Sequence, residues 1–253
     1  MKMNNKLLKK ISGFFGYKLI DKDYVKNNRI IENTTYLTIN KVLNFLFNNK
    51  KINCLIQIGA NDGLRFDILN PYIKKYKTKS ILVEPIKKSF NDLLKNYKNY
   101  NNIIFENVAI SVNNQISHLY KIDHSKEKKY KSEHFKGIMS FDKDHLTKHG
   151  VKKNDIVKEE VLSISISDLI KKHKLNIVDL IFVDAEGYDA DIIEDFLKTS
   201  LMRPIIIFEY LHVSNKKFKD LVDCLNKKKY FFFSLSENMI CFPEEKQEFI
   251  KFN

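Results

Sequence analysis

Ile56-Gln57-Ile58-Gly59-Ala60-Asn61-Asp62-Gly63, followed by Val83-Glu84-Pro85, decides the fold of this chain. The apolar run Cys54 to Ile58 enters a Gly-x-x-x-Gly turn, where backbone can approach a ligand with no side chain in the way. A second apolar run, Ile81 to Val83, ends in a carboxylate 21 residues after Gly63. A strand, a glycine turn and an acid on the next strand, ~20 residues on, is how a parallel α/β sheet holds an adenosine by its ribose hydroxyls.

The turn also excludes ligands. A dinucleotide fingerprint needs G-x-G-x-x-G, yet Asn61 stands at the second glycine position and Leu64 follows Gly63. A phosphate loop needs Gly-Lys-Ser/Thr, which is missing. An adenosine ligand without phosphate fits better, and S-adenosyl-L-methionine is the common one.

Outward from the turn, strand and helix patterns alternate. Apolar runs predict strands at 54–58, 80–84, 103–109, 178–183 and 204–209, as in a sheet covered on both faces. Helical spacing predicts helices at about 38–48, 66–75, 89–97, 189–198 and 215–228. Two short strands, 230–235 and 238–242, flank Ser236-Glu237 as a terminal hairpin. The fold class is α/β: a doubly wound, mostly parallel, Rossmann-like sheet with an antiparallel C-terminal edge and N-terminal helices. The expected organisation is a basic helical extension over 1–51 and one domain over 52–253, with an insertion at about 112–165. Within it Ile116 to Ile122 and Val161 to Ile166 alternate in strand fashion, and the charged stretch 121–136 between them is expected to form a flap at the carboxyl ends of the strands, where open α/β sheets bind ligands.

Val183-Asp184-Ala185-Glu186-Gly187-Tyr188-Asp189 ends another apolar strand and delivers carboxylates to the same crevice. Asp189 reads as a helix N-cap. Asp184 and Glu186 share one side if the backbone stays extended. Two close carboxylates can split their pKa values and leave one as a base, or can hold Mg²⁺ or substrate hydroxyls. Glu209 and His212 end the following strand, and histidine is the side chain whose unperturbed pKa lies near working pH. Asp184 and His212 are the base candidates, with Glu186 orienting.

The composition bounds the partners. The net charge is +13, but only Arg29, Arg65 and Arg203 of the 44 basic residues are arginine, and Trp is absent. Base and phosphate recognition favours Arg, and no Asn/Asp-Pro-Pro-Tyr-like motif awaits a flipped base, so nucleic acid is not an expected partner. Residues 1–51 hold eleven Lys and Arg against three acids, a balance of +8. Leu7, Leu8, Ile11, Phe14 and Phe15 share one face of a basic helix over 6–16, which suits an anionic membrane surface or a brace on the domain. No run of ~18 apolar residues exists, and the three cysteines read as free core thiols of a reducing compartment. The expected location is cytoplasmic, at the inner face of the membrane where residues 1–16 touch it.

These motifs, with Asn107-Val108-Ala109-Ile110-Ser111 and Ile166-Ser167-Asp168-Leu169 in the same order, resemble FkbM-type S-adenosylmethionine-dependent methyltransferases over roughly residues 52–210. The resemblance implies the class I methyltransferase fold and O-methylation of a hydroxyl on a sugar, glycan or related metabolite. N-methylation of an amino sugar or amine, and a non-catalytic relative of the fold, are the alternatives. It implies that Gln57, Gly59, Ala60, Asn61, Asp62, Gly63, Glu84, Pro85, Asn107, Val108 and Ala109 surround the cofactor. Asp184 and Glu186 then lie near the reacting methyl, and Ser140 and Glu209 face the substrate. No metal ligands are assigned, and the need for a divalent metal is left open. Two residues depart from the family pattern: Gln57 stands where an acid is usual, and Asp62 where an apolar residue is.

Overall fold

A computed structural model describes residues 37–49, 51–65, 67–112, 115–130, 135 and 138–246. The helix expected over 6–16 lies outside them. Residues Thr38–Asn253 form one compact unit, so the helix near residue 40, assigned from sequence to the extension, belongs to the domain. This helix α1 (Ile39–Asn48) starts at Thr38, whose side chain accepts from the Lys41 N–H, and it buries Val42, Leu43, Leu46 and Phe47. The Phe47 ring stacks on Tyr72 at 5.0 Å.

The main sheet contains β1 (Cys54–Ile58), β2 (Lys79–Val83), β3 (Ile103–Glu106), β8 (Leu180–Val183), β9 (Ile205–Glu209), β10 (Tyr230–Leu235) and β11 (Asn238–Pro243). Its order is β10-β11-β9-β8-β1-β2-β3. The pairs among β3, β2, β1, β8 and β9 are parallel, and β11 runs antiparallel to both β9 and β10. This is the doubly wound sheet with an antiparallel C-terminal edge that the apolar runs predict. Every residue of β1 is buried, as a central strand requires. Two apolar layers cover its faces, one containing Ile56, Ile181 and Phe196, the other Leu55, Leu82 and α1.

Helices α2 (Asn70–Tyr76), α3 (Lys87–Asn96), α5 (Ile166–Lys172), α6 (Asp189–Thr199) and α7 (Asn215–Lys227) surround this sheet, while α4 (Lys143–Lys148) belongs to the insertion. The helix expected from residue 66 begins later. Pro71 suits a first helical turn, and the Asp67 carboxylate turns the chain before it by accepting from the Leu69 and Asn70 N–H groups.

The insertion is built on a sheet of its own, and residues 131–134 and 136–137 of the expected flap lie outside the described residues. A second sheet, β4-β7-β5-β6, forms from β4 (Ala109–Ile110), β5 (Gln115–Ile122), β6 (Met139–Ser140) and β7 (Ile156–Ile164). β5 and β7 pair antiparallel over eight residues. The strand predicted over 103–109 therefore splits, with 103–106 in the main sheet and Ala109–Ile110 parallel to β7. Ile166 opens a helix, because the Ser165 side chain caps it by accepting from the Asp168 N–H at 3.0 Å. Among the described residues, no helix is long and apolar enough to cross a membrane.

Candidate active site

Register builds the site. Ile58 lies opposite both Val83 and Val183, Val83 opposite Glu106, and Val183 opposite Phe208. The next residues, Asn107, Glu84, Gly59, Asp184 and Glu209, therefore stand in one row at the carboxyl edge of the sheet. The strand order reverses at β1, which is where open α/β sheets open a crevice. A cavity of about 390 Å³ lies there.

The glycine turn is held by backbone. Gly59 and Ala60 both donate to the Val83 carbonyl at 3.0 Å. Gly59 has φ +82°, and a Cβ on it would sit 1.9 Å from the Asp184 carbonyl oxygen. Only glycine lets β1 and β8 close at this level.

Glu84 is fully buried and accepts from the Asn61 N–H at 2.9 Å and the Ile86 N–H at 2.8 Å. Glu84 also lines the cavity. Burial raises its carboxyl to about 7, against the pull of those two N–H groups.

That shift has a sign for stability. Between pH ~4.5 and ~7 the folded chain holds a proton that the unfolded chain has released. The contribution is complete below the lower value and is lost as pH rises through the upper one. We expect the ligand-free protein to be ~2 kcal/mol more stable to urea at pH 5 than at pH 8 through Glu84, since each pKa unit is worth ~1.4 kcal/mol. Glu84→Gln should remove that part of the slope; an unchanged slope in the variant would assign it to other groups.

Gln57 donates through Nε2 to the Asp67 carboxylate at 3.1 Å. Both residues line the cavity. Among the described residues, Gln57 Oε1 and Asp67 Oδ2 are buried and have no hydrogen-bond partner. An acid thus stands beside Gln57 after all, contributed ten positions later in the chain. Burial raises the Asp67 carboxyl, and the Gln57 hydrogen bond opposes this.

Three residues assigned to the cofactor by resemblance stand behind the cavity wall. Asp62 is buried and accepts from the Leu64 and Arg65 N–H groups and from Arg65 Nε at 2.6 Å, which holds its carboxyl below the usual range despite burial. Gly63 packs under Leu93 and Tyr97. Asn107 donates to the Glu84 and Pro85 carbonyls, both at 2.9 Å, and braces that loop. Gly59, Ala60, Asn61, Pro85, Val108 and Ala109 line the cavity itself.

At the other end stand Asp184, Glu186, Glu209 and His212. The extended backbone expected from Asp184 to Glu186 is not what forms. The strand ends at Val183, and Glu186 and Gly187 turn with φ +48° and +97°. Such a conformation in a non-glycine residue marks strain held by its surroundings. Here Ser140 Oγ donates to the Glu186 carbonyl at 3.1 Å. Asp189 is not the N-cap, a position Tyr188 occupies; its buried carboxylate accepts from the Ala185 and Gly187 N–H groups and fastens this turn.

Asp184 and Glu209 share a hydrogen bond. Withdrawal from bulk water, then the charges of Glu186, Asp189 and Glu209, raise the Asp184 carboxyl well above its usual range. Glu209 rises to about 7, again through desolvation and then Glu186 and Asp189. Two carboxyls this close cannot both stay ionised easily, so the pair shares a proton. His212 Nε2 lies 3.4 Å from Glu209 Oε1.

Sequence reasoning missed Asp67, Arg65, His145 and His149. His145 Nε2 lies 3.1 Å from Glu186 Oε2. The spacing His145-x-x-x-His149 was the visible signal for that pair. Asp67 gave none, since only the turn before α2 brings it back to β1.

Among the described residues, the cavity wall carries Asp67, Glu84, Asp184, Glu186, Glu209 and Glu237, against Arg65 and His212 as its basic side chains. In a chain of net charge +13, this acidic lining suits a cationic ligand. An adenosyl sulfonium with an ammonium group meets that requirement. Glu84 suits its ribose hydroxyls, Gln57 Oε1 and Asp67 Oδ2 its ammonium, and Arg65 its carboxylate.

Residues 57–232 match the family described as Methyltransferase FkbM domain. No curated protein matches the chain at a significant level. Among solved structures, the chain is similar to methyltransferase FkbM from Methylobacillus flagellatus KT, at 12% identity and TM-score 0.45, over 76% of this chain and 44% of that one. It thus spans less than half of that protein. It is also similar to an O-methyltransferase from Bacillus cereus in complex with SAH, at 12% identity and TM-score 0.45, over 93% and 97% of the two chains. An SAH-bound methyltransferase from Podospora anserina gives 11% identity and TM-score 0.44 over 96% and 97%.

Proposed function

The chain belongs to the FkbM methyltransferase domain family, and from that premise we propose that it transfers the methyl group of S-adenosylmethionine to a hydroxyl on a sugar, glycan or related metabolite. The acidic crevice at the strand-order reversal carries this reading. When bound, the cofactor supplies an already activated methyl group.

The chain's residues then have two tasks. The first is alignment, which can supply ~7–11 kcal/mol of a barrier. Glu84, the glycine turn and the Gln57–Asp67 pair fix one end of the crevice. The second is to take the acceptor's proton. In this reading Glu209 is the base, because its carboxylate is the unprotonated member of the pair, and Asp184 positions it through the shared hydrogen bond. Ser140 and Glu186 shape the acceptor side. The same acidic wall also suits an amine acceptor, which is the second reading. A screen of matched hydroxyl and amino sugars separates the two.

The test is calorimetric titration of the full chain with S-adenosylmethionine. We expect micromolar binding, weakened at least ~10-fold by Glu84→Ala, which loses charged hydrogen bonds worth ~1.5–3 kcal/mol. No binding by the wild-type chain would overturn the cofactor reading and favour a non-catalytic relative.

A further inference from the structure

We propose that His145, His149 and His212, with Glu186, form a site for one divalent transition-metal ion of the Zn²⁺ type. One ligand atom from each histidine falls within 4.8 Å of the other two. The ring centroids are 4.6, 4.8 and 4.8 Å apart. Glu186 Oε2 adds a carboxylate oxygen 3.1 Å from His145 Nε2 and 4.0 Å from His212 Nε2.

Local structure explains the convergence. α4 is N-capped by Asp142, whose side chain accepts from the Asp144 N–H, and C-capped by His149. Residues four apart share one face of a helix, so His145 and His149 point the same way. His212 comes from the loop after β9. That loop can pass close to the Glu186 turn because Gly187 has no side chain, and a Cβ there would lie 3.1 Å from the His212 carbonyl. Ser140 ties the Glu186 carbonyl to the second sheet.

The donor set selects the ion. Three imidazoles and one carboxylate suit Zn²⁺, Ni²⁺ or Co²⁺ rather than the oxygen-preferring Mg²⁺ and Ca²⁺. Tetrahedral ligands at ~2.0–2.1 Å lie ~3.3 Å from one another, so the imidazoles must draw in from the observed spread by side-chain rotation. Four protein ligands make a closed, structural site. The ion would fasten the insertion, through His145 and His149, to the crevice rim, through Glu186 and His212. This assigns His212 to ligation instead of proton abstraction.

The full chain, freed of metal by a chelator and dialysed, is titrated with Zn²⁺ in a calorimeter and with Co²⁺ in a spectrophotometer. We expect one ion per chain and the intense visible bands of four-coordinate Co²⁺. His149→Ala and His212→Ala should each weaken Zn²⁺ binding at least ~10-fold, the low end for disturbing a metal site, with the circular dichroism unchanged. These two are chosen because His145 is only 9% exposed and its replacement disturbs packing as well. His118→Ala, on an exposed strand position, should bind as the wild type does, and millimolar Mg²⁺ should not compete. Absence of a stoichiometric Zn²⁺ site, or unchanged affinity in both variants, would overturn the proposal.

Discussion

Gly59→Ala is expected to cost on the order of 4 kcal/mol or more, a large part of the ~5–15 kcal/mol that holds a domain folded. Two effects combine. The position has φ +82°, which an L side chain adopts at a cost of ~1–2 kcal/mol. The new Cβ would also lie 1.9 Å from the Asp184 carbonyl oxygen and 3.0 Å from its carbon. Both partners are backbone, so neither can rotate away. Gly150 separates the two effects, since it has φ +91° and nothing within 4 Å of its Cβ position. Gly150→Ala should therefore cost only the conformational part. Urea unfolding of both variants decides the matter, and equal losses would show that β1 and β8 can part at this level cheaply.

Glu209→Gln should lower kcat by ~10²–10⁴-fold, the usual contribution of a positioned base, while the dissociation constant of S-adenosylmethionine changes by less than ~3-fold. Asp184→Asn should be milder, because the amide still donates to Glu209 as the protonated carboxyl does. That order is a consequence of the shared proton. With Asp184 as the base, one of the two candidates read from the sequence beside His212, it would be reversed. The pH profile gives a second check. Glu209 rises to about 7, so activity should climb as pH passes through neutrality and the carboxylate loses its proton.

The strand ends were legible because each central strand is a continuous apolar run closed by a polar residue. Parallel pairing then needed only the run lengths to align Glu84, Gly59 and Asp184. The Glu186 turn was not legible, since period-two reasoning assumes extended backbone and the left-handed φ of Glu186 depends on Ser140 and Asp189 from elsewhere. The second sheet was half legible. The alternation at 116–122 and 161–166 was visible, but pairing over so long a separation is a tertiary choice. Asp67 meets Gln57, and the three histidines meet one another, only through the tertiary fold. Their chemistry is a product of the fold, although the i, i+4 histidine spacing stood in the sequence.

The insertion leaves and rejoins the chain at one place. Ile110 pairs with Ile164, and Ser111 donates to the Ile164 carbonyl at 3.0 Å. Everything between them is a closed detour whose entrance and exit are hydrogen-bonded neighbours. Lengthening such a detour costs only ~0.6 kcal/mol of closure entropy per doubling. In the proposed reading, where the insertion faces the acceptor, it can thus be exchanged as a cassette, grafted at Ile110 and Ile164, while the row of strand ends stays as it is. New acceptor preferences can therefore arise without rebuilding the catalytic sheet.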